Sequence, residues 1–161
     1  MTSTSFGNQR GFSLVEALIA MVLLSVGLLA AGLLQIGGIK ANSNAAGRTS
    51  GVSLAQSVMD DLRTLPLDDD LLSDNGTGSA GAAGLNDGMA TSGGNPTPGN
   101  ADQSRGQVTT SDGRTYTVFW NVAEGAPVNG AKTLRLFVYW NDQKFGLNKV
   151  VMTTVLGGYY L

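Results

Sequence analysis

The chain has no cysteine and no histidine, and only 14% of its 161 residues are charged. These absences exclude disulfides, thiol chemistry and any metal site built from imidazole or thiolate ligands. They also exclude a histidine base and a cysteine nucleophile, and no glycine-rich phosphate loop lies between a strand and a helix. We therefore expect a protein that is not an enzyme and that has no cofactor and no bound metal.

The charge balance is close to neutral, with 10 basic residues, 12 acidic residues and a formal net charge of −2. A nucleic-acid-binding surface needs a basic patch, so nucleic acid is not an expected partner. The length suits one folded domain together with one membrane helix. The low charge content agrees with a surface that is partly buried in a membrane or in an assembly.

The most distinctive stretch is a nearly continuous apolar run from Gly11 to Leu34. Glu16 is its single charge, and Ser25 is the single polar side chain from Ala17 onward. As a helix this run is ~34 Å long, which is enough to cross a hydrocarbon core of ~30 Å. A helix that is apolar on all sides is typical of burial in lipid or in the centre of a helical bundle.

The start of this run, GFSLVEALIA, follows a short polar leader and resembles the processing site of type IV prepilins, also called a class III signal sequence. The resemblance implies that a prepilin peptidase cleaves between Gly11 and Phe12, and that the new N-terminal Phe12 is N-methylated. It also implies an assembly role for Glu16, whose carboxylate would pair with the N-terminus of a neighbouring subunit. Two plainer alternatives are an uncleaved signal anchor and a Glu16 that only snorkels to the membrane interface.

Two further segments, MVLLSVGLLAAGLLQ and YTVFWNVAEGAPVNGAKTLRLFVYW, are most similar to PilV-type minor pilins. The resemblance implies a minor pilin of the type IV pilus, a subunit that helps to prime pilus assembly and can influence adhesion. The implied partners are prepilin peptidase, other major and minor pilins, the inner-membrane pilus assembly platform and membrane lipid. Two alternatives stay open, namely a minor pseudopilin of a type II secretion system and a single-pass envelope binding module.

The charges that flank the apolar run favour one orientation weakly. Arg10 precedes the run, and a basic residue there favours a cytoplasmic N-terminus, although Lys40 and Arg48 follow the run on the other side. Together with the family resemblance, this predicts a single-pass inner-membrane protein with a cytoplasmic N-terminus and a periplasmic head. The protein would later reach the pilus and the cell surface.

A second helical pattern follows the apolar run and ends before Pro66, which cannot continue a helix. Any break in the helix is expected at Gly37-Gly38, since each glycine costs ~1 kcal/mol in a helix interior. Without such a break, one helix runs from Phe12 to Leu65. Apolar residues at helical spacing predict a stripe that packs on a sheet. This stripe consists of Ala55, Val58, Met59, Leu62 and Leu65.

Residues 67–106 are rich in small and polar residues and have no periodicity, which predicts a long irregular loop that is either functional or disordered. Four carboxylates lie near its start, at Asp68, Asp69, Asp70 and Asp74. Their oxygens could bind Ca²⁺, but the spacing matches no calcium-loop pattern. A solvated acidic turn is the simpler interpretation.

The remaining residues predict an antiparallel sheet with one apolar face toward the helix stripe. Asp112-Gly113 is typical of a hairpin turn, and the aromatic side chains are expected in the core and not in a ligand site. The predicted strands are Gln107–Thr110, Arg114–Val122, Thr133–Trp140 and Lys149–Leu156.

The predicted fold class is therefore α+β and pilin-like, with one long N-terminal helix packed on a 3–4-stranded antiparallel sheet. One half of the helix lies in the membrane or the filament core, and the amphipathic half packs on the sheet. The predicted regions are a leader peptide at 1–11, the membrane half at 12–40, the amphipathic half at 41–66, the variable loop at 67–106 and the sheet head at 107–161.

Overall fold

The structure, a computed structural model, describes residues 13–75, 82–86, 88–142 and 146–157. It divides the chain into two compact units, residues 1–42 and residues 43–161. The helix α1 (Leu14–Arg63) contributes to both units. The second unit, which we call the head, holds the last part of α1 and all the described strands.

The start of α1 is set by Ser13, which caps the helix. The Ser13 hydroxyl accepts a hydrogen bond of 3.2 Å from the backbone N–H of Glu16. This bond satisfies one of the donors that a helix start leaves unpaired. The backbone stays helical through Gly37 and Gly38. The helix is therefore not interrupted at the glycines, because its intrahelical hydrogen bonds offset the modest cost of each glycine.

The end of α1 lies at Arg63, two residues before the predicted end at Leu65. The N–H groups of Thr64 and Leu65 bond to carbonyls only three residues back, at 3.2 and 3.4 Å. Such tighter bonds are common in a last helical turn. The residue before a proline is disfavoured in the helical conformation, so Pro66 ends the helix at this point.

The strands confirm the predicted fold class and extend the predicted boundaries. The described strands are β1 (Ala90–Ser92), β2 (Asn95–Thr97), β3 (Gln103–Thr109), β4 (Thr115–Glu124), β5 (Ala131–Asp142) and β6 (Gly146–Gly157). The last four form an antiparallel sheet in the order β3-β4-β5-β6, and β1 and β2 pair separately. The observed strands are longer than predicted, and β3 begins at Gln103 instead of Gln107. The ends of the strands contain glycine and polar residues, which do not show the alternation of apolar side chains used to predict strands. Their backbone groups nevertheless complete the hydrogen-bond ladders.

The hairpin between β3 and β4 has the predicted turn. Gly113 has a φ of +77°, a conformation that glycine adopts readily. Its N–H donates to the carbonyl of Thr110 at 2.9 Å, and the N–H of Thr110 donates to the carbonyl of Arg114 at 2.9 Å. The Asp-Gly pair therefore sets the register of this hairpin.

The main core lies between α1 and one face of the sheet, as predicted. Four stripe residues of α1 are buried, and Leu65 is partly buried against them. Complete burial of a side chain of this size contributes ~1.5–3 kcal/mol. The buried residues are Ala55, Val58, Met59 and Leu62 on α1, Tyr116, Val118, Trp120 and Val122 on β4, and Leu134, Leu136, Val138 and Trp140 on β5.

The opposite face of the sheet is also buried, which the sequence pattern did not predict. Phe119 stacks on Phe137 with ring centroids 5.2 Å apart, and on Tyr139 at 5.8 Å. Met89 and Ala101, from the segment that precedes β3, pack against this second aromatic cluster. The central strands therefore carry apolar residues at nearly every position, and the expectation of a single apolar face was wrong.

The predicted irregular loop thus contains ordered elements that cover this second face. A 3-10 helix spans Ala82–Leu85, and the small hairpin β1–β2 follows it. The hydroxyl of Thr117 on β4 donates to the carbonyl of Pro96 on β2 at 3.0 Å. The buried carboxylate of Asp102 accepts a bond of 2.9 Å from the N–H of Val122. Three-residue strands are too short to show periodicity, so sequence analysis assigned this region to a loop.

The acidic residues at the start of this region form a short capped turn. Asp69 precedes a 3-10 helix, Asp70–Leu72, and its carboxylate accepts a bond of 2.9 Å from the N–H of Leu71. Among the described residues, no three Asp or Glu side chains come together as a possible metal site. Asp69 acts as a helix cap here.

Candidate processing and assembly site

The predicted processing residues precede the start of α1 in the sequence, and Glu16 lies within its first turn. Gly11 and Phe12 lie outside the described residues. Glu16 lies in the first turn of α1, where it is exposed and follows the Ser13 cap. A carboxylate in the first turn is favoured by the helix dipole. The Ser-x-x-Glu spacing of a capping box could have indicated this start from the sequence.

The first half of α1 is the one described stretch long and apolar enough to cross a membrane. No residue in its most apolar window is buried by the described part of the chain. Leu14 and Leu34, near its two ends, are 77% and 78% exposed. Because exposed apolar surface costs ~25 cal/mol per Å² in water, this helix needs lipid or other helices around it. Its other strongly exposed side chains include Val15, Leu18, Ile19, Met21, Val22, Leu23, Leu24, Val26, Leu28, Leu29, Leu33, Ile36 and Ile39.

Within the head, Arg114 joins α1 to the end of the sheet. Its Nη2 atom donates to the carbonyl and the hydroxyl of Ser43 at 2.7 and 2.8 Å. Its other nitrogens lie 3.5 Å from a carboxylate oxygen of Asp112 and 3.6 Å from one of Asp142. The guanidinium is about a quarter exposed, so these charge-assisted bonds are only partly screened by solvent. Arg114 therefore holds the first turns of α1 within the head against the β3–β4 turn and the end of β5.

Two glycines allow this close approach and were missed by the sequence analysis. Gly47 and Gly51 are buried where α1 faces the sheet. A Cβ atom at Gly51 would lie 3.1 Å from the Trp140 ring and 3.3 Å from the Tyr116 ring. The two glycines lie four residues apart and continue the spacing of the stripe through Ala55. This continuation is the signal that could have identified them as contact positions.

The turn beside Arg114 has perturbed acid–base properties. The pKa of Asp112 lies below its usual value, chiefly because the Thr110 hydroxyl donates to its carboxylate, and the backbone N–H of Arg114 and the Ser50 hydroxyl add to this effect. Desolvation by burial raises the pKa of Tyr116, with a smaller contribution from the Asp112 charge. At neutral pH, Asp112 is therefore an anion and Tyr116 a neutral hydrogen-bond donor.

Two of the hollows among the described residues of the head differ clearly in character. One is a mainly apolar cleft of about 270 Å³ beside β3, which we call the edge cleft, and an ion pair of 3.1 Å between Arg105 and Asp61 lies at its rim. The other is a polar hollow of about 320 Å³ near Arg114 and Asn141. In neither hollow do the described lining residues place a general base beside a nucleophile. The edge cleft is lined by Val58, Asp61, Leu62, Leu65, Leu71, Ser104, Arg105 and Trp120.

Comparison with known proteins identifies the N-terminal region. Residues 7–32 match the prokaryotic N-terminal methylation motif, which covers the polar-to-apolar junction and most of the apolar run. The match indicates a type IV pilin-like or pseudopilin protein, and such proteins are structural subunits and not enzymes. The motif also implies processing by prepilin peptidase and assembly with other pilins, and together with the apolar helix it is consistent with a single-pass membrane anchor. No curated protein and no solved structure shows a significant match to the chain.

Proposed function

We propose that this protein is a minor pilin of a type IV pilus, similar to the PilV-type subunits, that helps to prime pilus assembly and contributes to adhesion. The supporting observation is the methylation motif at residues 7–32, joined to a helix whose most apolar window has no residue buried by the described part of the chain. A head that forms its own compact unit completes the pilin-like arrangement. Residues 1–11 are the leader, residues 12–40 the membrane half of the helix and residues 41–66 its amphipathic half. The segment after the helix, with its short ordered elements, leads to the sheet of the head, which begins at Gln103.

The proposed mechanism is an exchange of one apolar environment for another. The cytoplasmic leader is cleaved after Gly11 by the prepilin peptidase, and Phe12 becomes the methylated N-terminus. The helix then leaves the inner membrane, at the assembly platform, and packs among the helices of other major and minor pilins. The free energy change is small for apolar side chains, because lipid and filament core are similarly apolar. The head stays periplasmic at first and is then carried to the pilus surface.

Glu16 supplies a polar interaction in this mechanism. A carboxylate in a membrane helix is costly, and such groups usually pair with an opposite charge. After cleavage, the Phe12 ammonium lies close in sequence to Glu16 in its own chain and is available to the Glu16 carboxylate of a neighbouring subunit. The Ser13 hydroxyl accepts a hydrogen bond from the backbone N–H of Glu16 and so caps the helix start. The Glu16 side chain is exposed. A pairing that is possible only after cleavage would let only processed subunits assemble.

The test is to follow processing and location in a piliated host that expresses the full chain. N-terminal mass analysis of the extracted protein should find methylated Phe12 as the first residue, and sheared pili should contain the protein. Gly11→Val should keep the leader, because a branched side chain replaces glycine at the cleavage site, and should be absent from pili. An intact Met1 or Thr2 start in the presence of the peptidase would contradict the proposal. Processed protein that never enters pili would favour a pseudopilin instead.

A further inference from the structure

The sheet face away from α1 changes its character along the strands. One part of it carries the second aromatic cluster, which includes Phe119 on β4 and Tyr139 on β5. Residues two apart in a strand share a face. On β4, Thr117 and Thr115 therefore continue the row that contains Phe119, and on β5 Asn141 continues the row that contains Tyr139. The aromatic surface thus passes into a polar surface toward one end of the sheet.

The polar hollow lies over this polar end of the face. Its volume is about 320 Å³, and Thr115, Thr117 and Asn141 are among the residues that line it. Gln107 on β3 also lines the hollow, and it pairs with Thr117, so its side chain points to the same face. Asn95, at the start of β2, lines it from the small hairpin. Three strands of the sheet and the hairpin thus contribute amide and hydroxyl side chains to one hollow.

Two of these side-chain amides have unused hydrogen-bonding capacity. The side chains of Asn95 and Gln107 make no hydrogen bond to another described residue, and both residues are exposed. The Asn141 amide donates to the carbonyl of Gly94 at 3.2 Å, which leaves its oxygen as an acceptor. A carboxamide offers two N–H donors and one oxygen with two lone pairs. The hollow therefore presents both donors and acceptors to a ligand.

The charge of the hollow is balanced. Among its described lining residues, Arg114 is the one with a charged side chain. Its guanidinium lies 3.5 Å from a carboxylate oxygen of Asp112 and 3.6 Å from one of Asp142. An anionic ligand would have to compete with these two carboxylates for the same N–H groups. The hollow therefore favours a neutral ligand that can both donate and accept hydrogen bonds.

We propose that the polar hollow binds a neutral sugar, as the terminal residue of a surface glycan. Each sugar hydroxyl can donate and accept, which matches the Asn95 and Gln107 amides. The volume lies at the lower end of the ~300–1,000 Å³ typical of ligand pockets, so it suits a single sugar ring. This inference rests on the proposed function, because an adhesive pilus subunit displays its head at the cell surface. An extended peptide would need pockets for its alternate side chains, and this polar lining is less suited to them.

The first test measures sugar binding by the full-length protein in a detergent without sugar head groups. The probes are the methyl glycosides of glucose, galactose, mannose and N-acetylglucosamine, and saturation-transfer NMR detects their binding. We expect at least one of them to bind. The double variant Asn95→Ala, Gln107→Ala should bind that glycoside roughly tenfold more weakly, because two hydrogen bonds are lost. Gln56→Ala removes the same amide group from the exposed side of α1 and should leave the affinity unchanged.

The double variant is expected to fold, since both altered side chains are exposed and make no hydrogen bond to a described residue. Its near-ultraviolet circular dichroism should match that of the parent. The second test uses beads that carry the bound glycoside. Piliated cells with the parent chain should be retained on these beads and released by the soluble glycoside, and cells with the double variant should not be retained. Binding of the soluble glycoside without retention on beads would indicate a free sugar and overturn the glycan.

Other results would overturn the sugar site itself. One is that no neutral glycoside binds, and another is that the double variant binds as well as the parent. Tighter binding of glucuronate would indicate an anion site at Arg114, and binding of acetyl-glycyl-glycine amide in place of every glycoside would indicate a peptide site. If the parent binds no sugar but is cleaved and found in pili, the sugar site fails and the proposed function stands. A chain that is neither cleaved nor found in pili contradicts the proposed function, whatever the sugars show.

Discussion

The phenolic oxygen of Tyr116 donates a hydrogen bond of 2.9 Å to the backbone carbonyl of Gly47, which ties β4 to α1 within the head. Both residues are buried. A Cβ atom at Gly47 would collide with the guanidinium of Arg114, so glycine is needed for this approach. At this end the contact between helix and sheet depends on backbone groups and small residues. At the other end it depends on large apolar side chains.

Tyr116→Phe should destabilise the head by about 1 kcal/mol, because it removes one buried hydrogen bond and keeps the ring. The carbonyl of Gly47 keeps its bond within the helix, so no acceptor is left fully unpaired. Thermal unfolding of the head is the measurement. No change in stability for Tyr116→Phe would show that the hydroxyl is satisfied equally well by water.

A fragment that starts near Ala41 should fold alone and melt in one cooperative transition. The head is a compact unit that begins at Ser43, and both tryptophans are buried in its core. Removal of the apolar half of α1 takes away surface that would otherwise cause aggregation. Near-ultraviolet circular dichroism and tryptophan fluorescence would follow the transition. A soluble fragment that shows no cooperative change in either signal would contradict this prediction.

Gly51→Leu should destabilise the head by ~1–3 kcal/mol, since a larger side chain meets the rings of Trp140 and Tyr116. Gly51→Ala should be nearly neutral, because better helix propensity, worth ~1 kcal/mol, offsets a slight overlap. Ser53→Leu introduces the same side chain on the exposed side of α1 and should leave the melting temperature unchanged. Equal stability of Gly51→Leu and Ser53→Leu would show that the rings can move aside.

Low pH should lower the stability of the folded head, in part because the Asp112 carboxylate becomes protonated. Its pKa in the folded state lies below the usual value of 3.8, chiefly because of the Thr110 hydroxyl. A lowered pKa stabilises the folded state above the unfolded pKa, and this stabilisation is lost as the pH falls through the folded pKa. The melting temperature should therefore drop below about pH 4. Asp112→Asn should reduce that drop but not abolish it, since the pKa of Glu124 is lowered too, chiefly by its bond from Lys132. Identical pH profiles for the variant and the parent would contradict this role.

Glu16→Leu should block incorporation into pili without blocking membrane insertion or cleavage. Removal of a charge makes the helix more compatible with lipid, and the cleavage site at Gly11 is unchanged. Glu16→Asp should be intermediate, because it keeps the charge but shortens its reach. Immunoblots of the membrane fraction and of sheared pili measure how much of each variant is present in each fraction. Wild-type levels of the leucine variant in pili would identify Glu16 as a carboxylate that only lies at the membrane interface.

Several features could be predicted from the sequence because they depend on local patterns. The apolar run, the α1 stripe and the Asp112-Gly113 turn are each set by residues close together in the chain, and the structure has all three. Helical spacing and turn chemistry act over a few residues, so one sequence suffices to detect them. The strongest functional signal, residues 7–32, is likewise local and contiguous.

Contacts between residues that are far apart in the sequence could be known only from the tertiary structure. Arg114 reaches Ser43 and Asp142, and Asp102 bonds to Val122, through contacts that no spacing reveals. The ordered cover of the second sheet face also depends on such contacts, because its three-residue strands have little intrinsic stability and persist only where buried side chains hold them. The sequence by itself determined which residues are apolar and where the chain turns. The folded sheet determined that both of its faces are covered and that its β6 edge is left without a described neighbour.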